Sequence, residues 1–225
     1  MTSGAIGKLE ADGIADRLIG LTLREGTASH PWPRSPDLLG GNRATRNLAD
    51  AIHYLCMLHG RLPGVIDLAA ERSGGETVSD WIGKAVDGFA AERAYLARLT
   101  VAAGPIPSTP GQAECEAAVV GQRHAIEMLA QSDRKGCALG ASIALVLEWR
   151  AMRAILDFSA QRFGVEAPPL SLPSEAATVE AATLASSNAP AGIERAMWFG
   201  AQQLLVQHGG LWELLQSRAA ARAAH

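Results

Sequence analysis

Cysteine is scarce in this sequence, and so is any excess of positive charge. Cys56, Cys115 and Cys137 form no CxxC pair and are odd in number, which argues against a disulfide framework or a cysteine zinc site. Twenty Lys and Arg against 23 Asp and Glu leave a formal charge of -3. That balance lacks the basic surplus a phosphate backbone demands, so no nucleic-acid partner is expected. The most apolar run, 137–147, is about half the length that crosses a bilayer and ends at Glu148, so no membrane partner is expected either. Acidic residues interrupt the first twenty positions, no signal peptide is read there, and a cytoplasmic location is the expectation. The patterns GxSxG, GxxxxGK[ST], GxGxxG after a strand and HExxH are all missing, which leaves nucleotide chemistry and the common hydrolytic triads without a motif.

What the sequence has in quantity is alanine, 42 of 225 residues, and arginine, 17 of its 20 cations. This texture resembles proteins of high-GC bacteria. Alanine favours helix over strand, and apolar residues recur at spacings of three and four with no bounded alternation, so the chain reads as all-α. Helices are expected over 7–21, 42–59, 65–72, 77–103 with Thr77 as its cap, about 110–131 with Thr109 as its cap, 136–163, 174–187, 190–208 and 211–224. Gly209 and Gly210 are read as the break between the last two. The prolines of 26–41, which flank Trp32, suggest an extended arm that either packs across the protein or presents Trp32 to a partner. Four long helices joined by short connections between 42 and 164 predict an up-and-down four-helix bundle core. The helix and arm of 1–41 and the helices of 165–225 would pack on it as one domain.

Steps of about 100° around each helix show which ionisable side chains fall inside an apolar stripe. Ile82, Ala85, Phe89, Leu96 and Leu99 share one face of the helix over 77–103, and Glu92 projects into it. Ala138, Ala141, Leu145, Met152 and Leu156 share a face of the helix over 136–163, with Glu148 among them and Arg150, Arg153 and Asp157 opposite. His59 lies at the margin of the stripe Leu48, Leu55, Leu58 and Leu62. His208 flanks the line of Met197 and Leu204. Gln122 sits beside Val119 and Ile126, whereas His124 and Glu127 fall on a solvated side. A buried carboxylate requires partners, and His59, His208, Gln122, Tyr95 and Arg93 are the candidates to supply them. The inward glutamates could anchor helix register, hold a metal or move a proton. A small-molecule pocket among Phe89, Leu96, Met152 and Trp149 is a further option.

With Glu92 followed by Arg93, Ala94 and Tyr95, and Glu148 by Trp149, Arg150 and Ala151, the layout of 42–163 resembles the ferritin-like superfamily. That superfamily takes a glutamate from each of two helices and a Glu-x-x-His pair from each of the other two. Both paired histidines are absent here, and an uncharacterised bacterial helical family is expected. The resemblance implies an alternative function, a metal-dependent oxidase or hydroxylase with iron or manganese held by Glu92, Glu148, His59 and His208. The residues themselves favour a non-catalytic protein without a cofactor, acting by binding a protein partner or by self-association as a homo-oligomer.

Overall fold

The computed structural model describes residues 13–72, 76–187 and 189–224, with the side chains at 76 and 77 excepted. Among these residues there are nine α-helices, one 3-10 turn and no strand. The helices are α1 (Ile14–Glu25), α2 (Pro36–Leu39), α3 (Ala44–His59), α4 (Val65–Arg72), α5 (Glu76–Ala103), α6 (Gln112–Ala130), α7 (Cys137–Phe163), α8 (Glu175–Ser186) and α9 (Ala191–Ala223). Much of the expected start of α1 and the connection at 73–75 lie outside the described residues.

The mostly apolar α7 is the centre of the assembly and touches α1, α3, α4, α5, α6, α8 and α9. Left-handed glycines bound it, Gly136 at φ 96° before its first turn and Gly164 at φ 67° after its last. Side chains would be strained in that region, so glycine marks both ends. Beside α7 runs α9, the nearest of its neighbours. A Cβ added at Gly140 would stand 2.0 Å from the Met197 carbonyl oxygen, and one at Gly200 would stand 2.1 Å from that of Cys137. The two backbones are therefore in contact where both helices carry glycine. The last helix thus contributes directly to the core.

Four expectations differ from the structure. Gly209 and Gly210 do not break the chain, because α9 continues through them; burial of His208, Leu211 and Trp212 on either side holds the helix together. The 26–41 arm is compact, with a 3-10 turn at Trp32–Arg34 followed by α2. Trp32 is buried against the protein, as in the first of the two alternatives for this arm. Thr109 does not cap α6, whose N-cap is Gly111; its hydroxyl accepts hydrogen bonds from Arg218 and Arg222 instead. Leu62 is exposed, since α3 ends at His59 and the chain leaves the helical register that would have turned it inward.

Candidate functional site: two buried carboxylate networks

Glu92 and Glu148 are 0% and 1% exposed, and His59 and His208 are 6% and 0% exposed. Both glutamates are held by α5 and α7 in the apolar faces read from the sequence, yet they belong to different networks.

Glu148 faces the end of α1. The Thr27 backbone N–H donates to Glu148 Oε1 at 2.8 Å, and the Thr27 hydroxyl donates to the same oxygen at 2.5 Å. Trp212 Nε1 donates to the Thr27 hydroxyl at 2.8 Å. The preceding residue makes this approach feasible. A Cβ on Gly26 would lie 2.2 Å from Glu148 Oε2, so only glycine admits the carboxylate to the backbone there. On the other side, His208 Nδ1 stands 3.4 Å from Glu148 Oε1, an ion-pair distance without an aligned hydrogen bond. His208 Nε2 lies 2.9 Å from His59 Nε2. One of these nitrogens must donate and the other accept, so the facing imidazoles share a proton.

His59 closes the chain of groups. Its ring meets Phe89, Trp149 and His208 edge to face, with centroids 6.1, 5.6 and 5.0 Å away. Burial holds its imidazole well below the usual histidine range, and the nearby charges of His208 and Arg93 push the same way. Burial pushes Glu148 up, but His208 and the two Thr27 donors outweigh it, and its carboxyl stays below the ordinary carboxylate value. The cavity beside His59, bordered by Phe89, Arg123 and Leu145, is about 20 Å³. That is room for one water and not for an organic substrate.

Glu92 is bonded to Trp149 and Arg153. Trp149 Nε1 donates to Oε2 at 2.9 Å, and Arg153 Nη1 donates to Oε1 at 2.7 Å. Arg153 also donates to Asp157 at 2.7 Å and to the Pro168 carbonyl, and its guanidinium lies over the Tyr95 ring. Tyr95 donates to Asp157 at 3.0 Å. Burial raises the Glu92 carboxyl despite the lowering effect of Trp149 and Arg153.

Of the residues singled out from sequence, His59, His208 and Glu148 therefore meet, while Glu92 joins them only through the Trp149 ring. Tyr95 belongs to the Glu92 network. Arg93 is paired with Asp67 at 2.9 and 3.0 Å and does not bond Glu92. Gln122 Oε1 is buried with no hydrogen-bond partner, away from both glutamates' bonds. Phe89 and Trp149 pack at 4.7 Å and fill the space expected as a ligand pocket. Thr27, Trp212 and the donor roles of Trp149 and Arg153 were not foreseen.

A third buried cluster was missed altogether. Arg218 donates from Nε and Nη2 to Asp50 at 3.2 and 3.1 Å, and Arg222 donates to the same carboxylate. Arg222 also donates to Asn47 Oδ1 at 2.6 Å. The signal existed as Asn47, Asp50 and Tyr54 on one side of α3, matched by Arg218 and Arg222 one turn apart on α9. Burial pushes the Tyr54 phenol up to about 12, against the opposing charge of Arg218.

The four residues read as possible metal ligands make the following contacts. Glu148 approaches the Nδ1 side of His208 whereas His59 approaches the Nε2 side, and Glu92 bonds Trp149 and Arg153. Among the described residues no group of three or more His, Cys, Asp or Glu side chains is disposed as metal ligands. No helix among them is long and apolar enough to cross a membrane. Fold and site together define an all-helical protein built around internal polar networks. A family profile matches residues 22–223, and the chain belongs to that family, a family of unknown function (DUF6975). No curated protein and no solved structure matches it.

Proposed function

We propose that this chain is a non-catalytic binding protein in which Glu92, Glu148, His59 and His208 serve as internal anchors. The observation that carries this reading is how the two carboxylates are used: Glu148 accepts from Thr27 and pairs with His208, and Glu92 accepts from Trp149 and Arg153. Both are bound to groups of the chain, and the space beside His59 has room for a single water. Catalytic acids and bases need reach to a substrate, which that space does not give. The test is elemental analysis of protein purified from cells and then dialysed against iron(II) or manganese(II). Less than about a tenth of an equivalent retained supports the reading. Retention near one equivalent, lost in E148Q or H208Q, overturns it in favour of the oxidase or hydroxylase alternative.

Self-association is a second reading, favoured by a separate observation. Val120 and Met128 on α6 and Val206 on the adjoining α9 are 43%, 54% and 53% exposed, a good deal of apolar surface on two neighbouring helices. Sedimentation of the protein and of M128E/V206E tests it. A dimer that the double substitution converts to monomer supports it, and a monomer at all concentrations overturns it.

A further inference from the structure

An open cleft differs from the buried carboxylate networks in composition: its lining combines cationic and apolar side chains. Its main lobe, about 730 Å³, is lined by Arg72 at the end of α4, by Arg134 and Lys135 before α7, and by Leu139, Leu184 and Ile193. A second lobe of about 400 Å³ shares Arg134, Lys135 and Ile193 and adds Arg195. Arg72, Arg134, Lys135 and Arg195 form no ion pair among the described residues. Among the described residues, Asp133 is the one acidic side chain on the lining of either lobe. In a chain of net charge -3, four cations against one acid make this a local reversal of sign.

The cations are also placed, not merely present. Arg72 Nη1 donates to the Ser132 carbonyl at 2.9 Å, which ties α4 to the turn carrying Arg134 and Lys135. The Arg134 guanidinium lies 5.4 Å over the Phe199 ring, a contact that keeps the charge at the mouth of the second lobe. Two of the helices that border the cleft begin there without a side-chain cap, α7 after Gly136 and α9 after Pro190, the latter with Glu194 in its first turn. Their first-turn amides add positive potential to that of the side chains. Leu184, 40% exposed, faces the same cleft with Ile193 and Leu139. An inorganic ion would leave that apolar wall unused.

We infer that this cleft binds a small amphipathic anion, a phosphate or carboxylate head held by Arg134, Lys135 and Arg72 with its apolar part against Leu139, Leu184 and Ile193. Guanidinium groups match such heads with paired hydrogen bonds, and the ammonium of Lys135 adds a point charge. The inference rests on the binding reading, but it uses different residues from the internal networks, so the metal measurement and the anion measurement fail independently.

The test is calorimetric titration of the full chain with n-octyl phosphate below its micelle concentration, with inorganic phosphate and with octanol, alongside flotation with phosphatidylglycerol and phosphatidylcholine vesicles. Saturable binding of octyl phosphate, at least tenfold tighter than either inorganic phosphate or octanol, is expected. R134E/K135E, substitutions at exposed positions that leave the helical spectrum intact, should weaken it at least tenfold, and I193S at least threefold. R46E, an exposed change on α3, should not alter it. Equal affinity in R134E/K135E and the parent chain, or no saturable binding of octyl phosphate, overturns the inference. Binding to phosphatidylglycerol vesicles with none to octyl phosphate also overturns it, assigning the cations to a membrane surface instead.

Discussion

His59 and His208 face each other through their Nε2 atoms at 2.9 Å, so protonating both at once would place two donors and two charges in contact. The folded protein resists this: His59 is held well below 6.5 by burial, then by His208 and Arg93. In the unfolded chain the same group takes up its proton near 6.5. Protons therefore favour the unfolded state, and the His59 contribution to stability is present above pH 6.5 and is lost as pH falls below it. Glu148 acts in the same sense at lower pH, since its folded value is depressed below 4.5. Glu92, raised by burial, acts in the opposite sense near and above 4.5. Urea midpoints should be flat from pH 7 to 8 and fall between 6.5 and 5, and H59Q should flatten that fall. An unchanged slope in H59Q would remove His59 as its source.

Thr27 joins the start of the chain to α7 and α9 through one hydroxyl. T27V deletes a donor to buried Glu148 and an acceptor for buried Trp212 Nε1, and should cost about 2–4 kcal/mol, because each group left unsatisfied costs roughly 1–3 kcal/mol. T27S keeps both bonds and should cost less than about 1 kcal/mol. Chemical denaturation of the two variants checks the difference.

Arg153 is the charge partner that keeps Glu92 tolerable inside the protein. R153M strands the carboxylate and should destabilise by about 3–5 kcal/mol, the range seen when one half of a buried pair is removed. E92Q/R153M should recover part of that loss, so that the double variant is more stable than R153M alone. Additive losses in the double-mutant cycle would contradict the coupling.

Three glycines in the α7 and α9 region should respond in opposite directions to alanine. G140A and G200A press a methyl onto a carbonyl of the facing helix, where backbone has to move. Each should cost about 3 kcal/mol or more, a fall in Tm of roughly 6–12 °C for a chain of this size. Gly209 has open space around it within a continuous helix, and G209A should raise stability by about 0.5–1 kcal/mol. Thermal scans of the three variants decide it.

Helix content and the inward direction of Glu92 and Glu148 were legible because both follow from periodicity, which is a local property. The partners were not. Arg153 falls opposite the apolar stripe of α7, where a helix with one wet face would expose it. But Glu92 and Tyr95 of α5 lie against the guanidinium, and the carbonyl of Pro168 reaches back to cover it. Thr109 and Thr27 look like ordinary cap and turn residues until distant helices arrive at their hydroxyls. Gly209 and Gly210 read as a stop, since glycine lowers helix propensity, yet burial on both sides outweighs about 1 kcal/mol per glycine. Each miss comes from an interaction between residues remote in sequence, which single-helix geometry does not contain.

The helix α9 fastens two remote parts of the protein. Trp212 secures Thr27, and among the described residues Arg218 and Arg222 are the charges that neutralise Asp50. With α9 displaced, an acid and a threonine that belong in the interior would meet water together. Loosening of that helix would therefore open the protein at two remote places at once, and proteolysis there should follow its detachment.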